Sequence, residues 1–131
     1  MRHRTPPSCY DPRVDTFEAH FAAGVGDHWF YLLAEGSNPT NGQPTSPTDC
    51  PGGNHAPVTG VGIQTAIRIL YTAMLMKTSK GSYRAYRLWT LQAAANLYGC
   101  YSVVFSRVRA AWDTVIVPVQ PGEPQYCGPP S

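Results

Sequence analysis

The sequence lacks an apolar run of about 20 residues, the length that a helix needs to span a bilayer. The longest apolar stretch, residues 67–76, is interrupted by Arg68, Tyr71 and Thr72. Charged residues are also scarce, at 14%, and the formal net charge is only +2, so no basic surface of the kind that binds phosphates is expected. These absences argue against a membrane and against nucleic acid as partners. The length of 131 residues indicates a single domain.

The sequence also lacks a Cys-x-x-Cys pair, which argues against a zinc ribbon and against a thioredoxin-type site. Its four cysteines are Cys9, Cys50, Cys100 and Cys127. In an extracellular protein they permit two disulfides in any of three connectivities. In the cytosol, free thiols are equally compatible with the sequence. The first 12 residues are partly basic but contain no apolar segment, so they are not expected to be a secretory signal peptide.

A third absence concerns metal chemistry. Zinc peptidases commonly bind the metal through His-Glu-x-x-His, in which two histidines lie one helical turn apart and the glutamate serves as the base. Here no two histidines lie four residues apart, and none is followed by glutamate. The sequence therefore predicts no zinc site of this type within the chain.

Apolar residues recur at intervals of three and four along four stretches, which predicts four helices. The expected helices cover residues 22–35, 60–77, 82–98 and 101–115. Gly36 and Gly99 follow the first and third of them and are suitable C-caps. The predicted fold is all-α, a small bundle of about four main helices with long loops rich in Pro and Gly. Within the loop 37–59, Asn41-Gly42 is a turn signal that would suit a tight hairpin.

Four stretches carry a family resemblance, and they occur in the family's order. The first is the run from His20 to Leu33, with Asp15 five residues before His20. The others are GVGIQTAIRILYTAM (60–74), RLWTLQAAANLYG (87–99) and VRAAWDTV (108–115). Together they resemble the C-terminal, α-helical domain of thermolysin-like zinc metallopeptidases, the neutral metallopeptidase family. The resemblance covers residues 15–117, leaving residues 1–14 as a loose arm. Residues 118–131 would form a Pro-rich tail, either an ordered strap or a loose end.

The resemblance implies a metalloendopeptidase domain that forms one wall of a substrate cleft. His20 would donate a hydrogen bond to the oxyanion that develops during peptide cleavage, and Asp15 would orient its ring. Zinc would be expected for the complete enzyme, bound by an N-terminal domain that is missing from this chain. The implied partners are a peptide or protein substrate and that zinc domain, and the implied location is extracellular.

Each of these interpretations has a plainer alternative. Residues 15–18 form an acid-x-x-Glu pattern, which also caps helices. The chain could instead be an inactive remnant that acts as a helical protein-binding module, with Phe17, Phe21 and Trp29 on an exposed apolar face. His28 is expected to be a packed or solvated side chain and His55 a loop residue. The arginines at 68, 84, 87, 107 and 109 are expected on solvated faces.

Overall fold

A computed structural model describes residues 8–12, 19–77 and 81–129, without the side chains of residues 19–23. Within these ranges the chain forms four helices and no strand. The helices are α1 (Ala19–Glu35), α2 (Ile63–Leu75), α3 (Tyr83–Tyr98) and α4 (Val103–Thr114). The prediction of a small all-α bundle is therefore confirmed.

Serine side chains fix the starts of the last two helices. The hydroxyl oxygen of Ser82 accepts a hydrogen bond from the backbone N–H of Ala85, and that of Ser102 accepts one from Phe105. Each serine thus satisfies one of the N–H groups that a helix start leaves unpaired. Gly62 has a φ of 91°, which lies outside helical geometry, so α2 begins three residues later than its apolar pattern predicted.

The end of α1 is capped by the segment that leads into α2. The carbonyl oxygens of Leu33 and Ala34 accept hydrogen bonds from the backbone N–H groups of Val61 and Gly62, at 2.7 and 2.9 Å. Gly36 follows with a φ of 83° and forms an isolated bridge with Thr59. The intervening loop 37–59 contains no strands, so the hairpin considered for Asn41-Gly42 does not form.

The core lies where the inner faces of the four helices meet. Its centre is a stacked pair of indoles, with the rings of Trp29 and Trp112 4.3 Å apart and 16° from parallel. The indole N–H of Trp112 donates to the Thr90 hydroxyl at 2.8 Å. Because Trp29 is only 2% exposed, it does not lie on the exposed apolar face that was considered for a binding module. Of the other residues in that hypothesis, Phe17 and the side chain of Phe21 lie outside the described residues.

Two disulfides link the segments outside the helices. Cys9 pairs with Cys50 and Cys100 pairs with Cys127, which selects one of the three connectivities. Part of the predicted N-terminal arm is thereby fixed, and the N–H of Tyr10 also donates to the carbonyl oxygen of Val115 at 2.7 Å. Residues 118–129 form the ordered strap, because both the Cys127 disulfide and the buried Glu123 hold them to the bundle.

Among the described helices, none is both long enough and apolar enough to cross a bilayer.

Candidate functional site

The first turn of α1 contains the histidine singled out from the sequence. His20 is the second residue of that helix, and its side chain lies outside the described atoms. Asp15, its predicted partner, also lies outside the described residues. The pairing of these two side chains therefore stays a prediction.

The register of α1 shows which side of the helix carries position 20. Residues 24, 27 and 31 follow it at intervals of four, seven and eleven, so they share its side of a helix with 3.6 residues per turn. Asp27 is exposed, and Gly24 and Tyr31 are half-buried. The opposite side, with Val25, Trp29, Leu32 and Leu33, is buried in the core. From residue 24 onward, α1 thus has an exposed side at Asp27 and a buried side towards the core.

A groove runs along one flank of α1 and consists of two adjoining cavities. The first has a volume of about 330 Å³ and is lined mainly by aromatic rings, those of Trp29, Phe30, Tyr83, Tyr86 and Trp112. The second, of about 310 Å³, lies nearer the end of α1 and includes Glu35 and Ile63 in its lining. Asp27 and Phe30 line both cavities, so they join the two into what we call the α1 groove.

A glycine on α1 allows the aromatic wall to approach. The hydroxyl oxygen of Tyr83 accepts a hydrogen bond from the backbone N–H of Gly26 at 3.1 Å. A Cβ atom at residue 26 would lie 3.1 Å from that same oxygen, which is closer than an ordinary contact. Gly26 therefore lets Tyr83 pack directly against the helix backbone.

His28 is a packed side chain, as expected from the sequence. It is 7% exposed, and its Nδ1 and Nε2 atoms lie 2.9 and 2.8 Å from the carbonyl oxygens of Ser8 and Pro47. A neutral imidazole has one N–H and donates to only one of them, whereas the protonated ring donates to both. His28 thus links α1 to the N-terminal segment and to the long loop.

The last described histidine is also structural. The Nε2 atom of His55 lies 2.7 Å from the carbonyl oxygen of Cys50, in the loop where the sequence placed it. Cys50 is engaged in a disulfide, so this pair offers no thiolate to a metal. Across residues 8–12, 19–77 and 81–129, no group of three or more His, Cys, Asp or Glu side chains is arranged to hold a metal ion.

The prediction that Arg87 lies on a solvated face is wrong, because its side chain is fully buried. Its Nε and Nη2 atoms donate to the two carboxylate oxygens of Glu123, both at 3.0 Å. Its Nη1 atom donates to Asp113 at 2.7 Å and to the carbonyl oxygen of Val117 at 2.9 Å. Burial alone would lower the pKa of Arg87, but the hydrogen bonds and charges of Glu123 and Asp113 outweigh it and raise the pKa. The guanidinium is therefore a charged structural link.

No local pattern in the sequence predicts this ion pair or the α1 groove. Arg87 and Glu123 are 36 residues apart, and no local pattern connects them. Trp112 is almost completely buried in the core. Tyr83 and Tyr86 are only partly buried and also line the α1 groove.

Comparison with known proteins gives two findings. Residues 2–117 match the profile of a family described as the thermolysin metallopeptidase, alpha-helical domain. A transglutaminase-activating metalloprotease from Streptomyces mobaraensis is 36% identical over 101 residues, which are 76% of this chain and 13% of that relative. The chain thus corresponds to a small part of the length of that relative.

Proposed function

This chain belongs to the thermolysin metallopeptidase family as its alpha-helical domain, and we propose that it forms the helical wall of a peptidase active site. Within that wall, His20 is the oxyanion donor and Asp15 is the carboxylate that orients it. What supports the proposal is that residue 20 belongs to the first turn of α1, a helix whose described residues pack against the core.

An oxyanion donor acts on the negative charge that develops on the carbonyl oxygen during peptide cleavage. When a peptide carbonyl is attacked, its oxygen becomes negative, and an N–H group already placed beside it stabilises that state more than the substrate. A carboxylate on the other ring nitrogen fixes which nitrogen carries the proton and favours the protonated ring. A rigid helix that packs its opposite side into the core is a suitable support for this group.

Zinc is implied for the complete enzyme by the family, but the residues of this chain do not fit it. The sequence has no His-Glu-x-x-His, and the described residues contain no metal-ligating cluster. In this proposal the metal belongs to a zinc domain outside these 131 residues, whether on the same polypeptide or on another. The substrate would be a peptide or protein. An extracellular location is supported by the two disulfides, which persist in oxidising compartments.

The test combines this chain with a separately produced zinc domain of the same family and measures cleavage of a peptide. We expect the wild-type chain to support cleavage and His20→Ala to lower turnover by about 10²–10³-fold, the usual effect of removing an oxyanion donor. Asp15→Asn should give a smaller loss. His55→Asn, in an exposed loop, serves as the matched control and should retain full activity.

A second candidate function is the inactive, protein-binding module, and the exposed side of α2 favours it. Ile67, Tyr71 and Leu75 are 52%, 61% and 70% exposed, which is unusual for large apolar side chains on one helix. A wild-type chain that folds but supports no cleavage would favour this candidate, and equal activity of wild type and His20→Ala would refute the catalytic role.

A further inference from the structure

The α1 groove combines aromatic rings with negative charge. Of its two cavities, the first is lined by five aromatic side chains, and the exposed carboxylate of Asp27 stands where the cavities join. Glu35 adds a second carboxylate further along, where it accepts a hydrogen bond from Asn41 at 2.8 Å. Among the described residues that line the groove, none is basic. This lining contrasts with the net charge of +2 of the whole chain.

These features suit a positively charged ligand group. The faces of aromatic rings carry partial negative charge and attract Lys, Arg and other organic cations. A nearby carboxylate adds direct attraction, and its effect is greatest where no competing basic side chain is present. The first cavity, at about 330 Å³, is at the lower end of the range for ligand pockets, so it suits a side chain better than a cofactor.

We propose that the α1 groove binds a basic side chain of a peptide, with its cationic group between the aromatic wall and Asp27. The aliphatic stem would contact Phe30 and Leu70, and the guanidinium or ammonium would lie at the mouth near the carboxylate. Arginine is the better match of the two, because its planar group stacks on aromatic rings as well as pairing with carboxylates.

The position of the groove gives this binding a role in substrate choice, a step that rests on the proposed function. Asp27 is seven residues from His20 on the same side of α1, which is about 10 Å at 1.5 Å per residue. An extended peptide covers that distance in about three residues. A substrate whose reacting carbonyl lies at His20 would thus place a side chain about three positions away over the groove.

The test measures binding to the chain alone, so it does not depend on catalysis. Two-dimensional NMR of the 15N-labelled protein follows the indole N–H signals of Trp29 and Trp112 while N-acetyl-arginine amide is added. N-acetyl-citrulline amide, which has nearly the same shape but no charge, is the matched ligand. We expect saturable shifts with the arginine compound and about tenfold weaker binding of the citrulline compound.

Two substitutions distinguish the effect of the Asp27 carboxylate on binding from the effect of the protein's net charge. Asp27→Asn should weaken binding of the arginine compound about threefold to fivefold, as expected for one exposed ion pair. Asp49→Asn removes the same charge from an exposed loop residue outside the groove and should leave binding unchanged. Phe30→Leu keeps an apolar side chain but removes one aromatic face, and it should also weaken binding.

Three results would overturn the proposal: no saturable shift, equal binding of the arginine and citrulline compounds, or equal effects of Asp27→Asn and Asp49→Asn. The outcome is independent of the cleavage test. If the arginine compound binds to His20→Ala, and the reconstituted wild type does not cleave the peptide, the proposed role of the α1 groove stands and the catalytic role of His20 is refuted. If cleavage depends on His20 but the arginine compound does not bind, the catalytic role of His20 stands and the proposed role of the α1 groove is refuted.

Discussion

At the scale of single residues, the guanidinium of Arg87 is a positive charge that lies fully out of contact with water. It is fully buried, and its partners come from α4, from the residues after it and from the strap. A charge taken out of water is tolerated only when its donors are matched by acceptors. The bidentate pair with Glu123 supplies two of the four hydrogen bonds that Arg87 donates and at the same time fixes the strap to α3.

Glu123→Gln should therefore destabilise the fold strongly. The amide cannot accept both hydrogen bonds, and the charge of Arg87 loses its closest partner, so we expect a loss of about 3–5 kcal/mol in the free energy of unfolding. Urea unfolding at neutral pH measures it. Because the pKa of Arg87 is raised, its guanidinium stays protonated, and its contribution would be lost only as the pH rises into strong alkali.

Asp113→Asn is the matched control for that experiment. The Asp113 side chain is 43% exposed, so water screens its pairing with Arg87, and we expect a loss of at most about 1 kcal/mol. Similar losses for the two variants would show that Glu123 has no special part in burying the guanidinium.

At the scale of elements, the backbone of α1 and that of the segment before α2 pass close to each other. A Cβ atom at Gly60 would lie 2.5 Å from the carbonyl oxygen of Ala34, closer than such atoms approach in real proteins. This proximity is what allows Val61 and Gly62 to cap the end of α1. Gly60 therefore permits the close approach to α1 and, with it, the cap at the end of that helix.

Gly60→Ala should separate α1 from this segment and weaken the cap. We expect a loss of about 2–3 kcal/mol, as for other substitutions that overfill a packed site, measured by thermal or urea unfolding. Gly42→Ala is the control, because Gly42 has a φ of 90° but no atom near its missing Cβ. That variant should lose about 1–2 kcal/mol from backbone strain alone. A loss at Gly60 no larger than the loss at Gly42 would contradict the steric argument.

At the scale of the whole molecule, the two disulfides join distant parts of the chain to a small core. They span 41 and 27 residues. One joins the N-terminal segment to the loop 37–59, and the other joins the turn between α3 and α4 to the strap. A domain of 131 residues has a modest core, so we expect such links to add to its stability.

Replacing Cys100 and Cys127 together by serine should lower the free energy of unfolding by about 3–4 kcal/mol, as chain-entropy estimates give for loops of this size. The same replacement of Cys9 and Cys50 should have a similar effect. Thermal unfolding of both double variants, with wild type measured with and without reductant, checks this. Unchanged stability in either variant would mean that its bridge does not form in solution.

The family and the helical content could be predicted because both depend on local patterns. Apolar residues at intervals of three and four identify a helix from neighbouring positions alone, and all four helices form close to where those intervals placed them. The helix starts were less certain. They depend on individual caps, such as Ser102 on α4, and on the backbone of Gly62, which shortens α2.

By itself, the sequence determined the four helices, the single α-helical domain and the absence of His-Glu-x-x-His. Only the tertiary structure decided which cysteines pair, that Arg87 is buried against Glu123, and that Trp29 belongs to the core. It also placed Asp27 in the lining of the same cavity as Tyr83 and Tyr86. The physical reason is distance along the chain. A helical pattern is set by residues three or four apart, whereas these contacts join residues that only the packing of whole helices brings together.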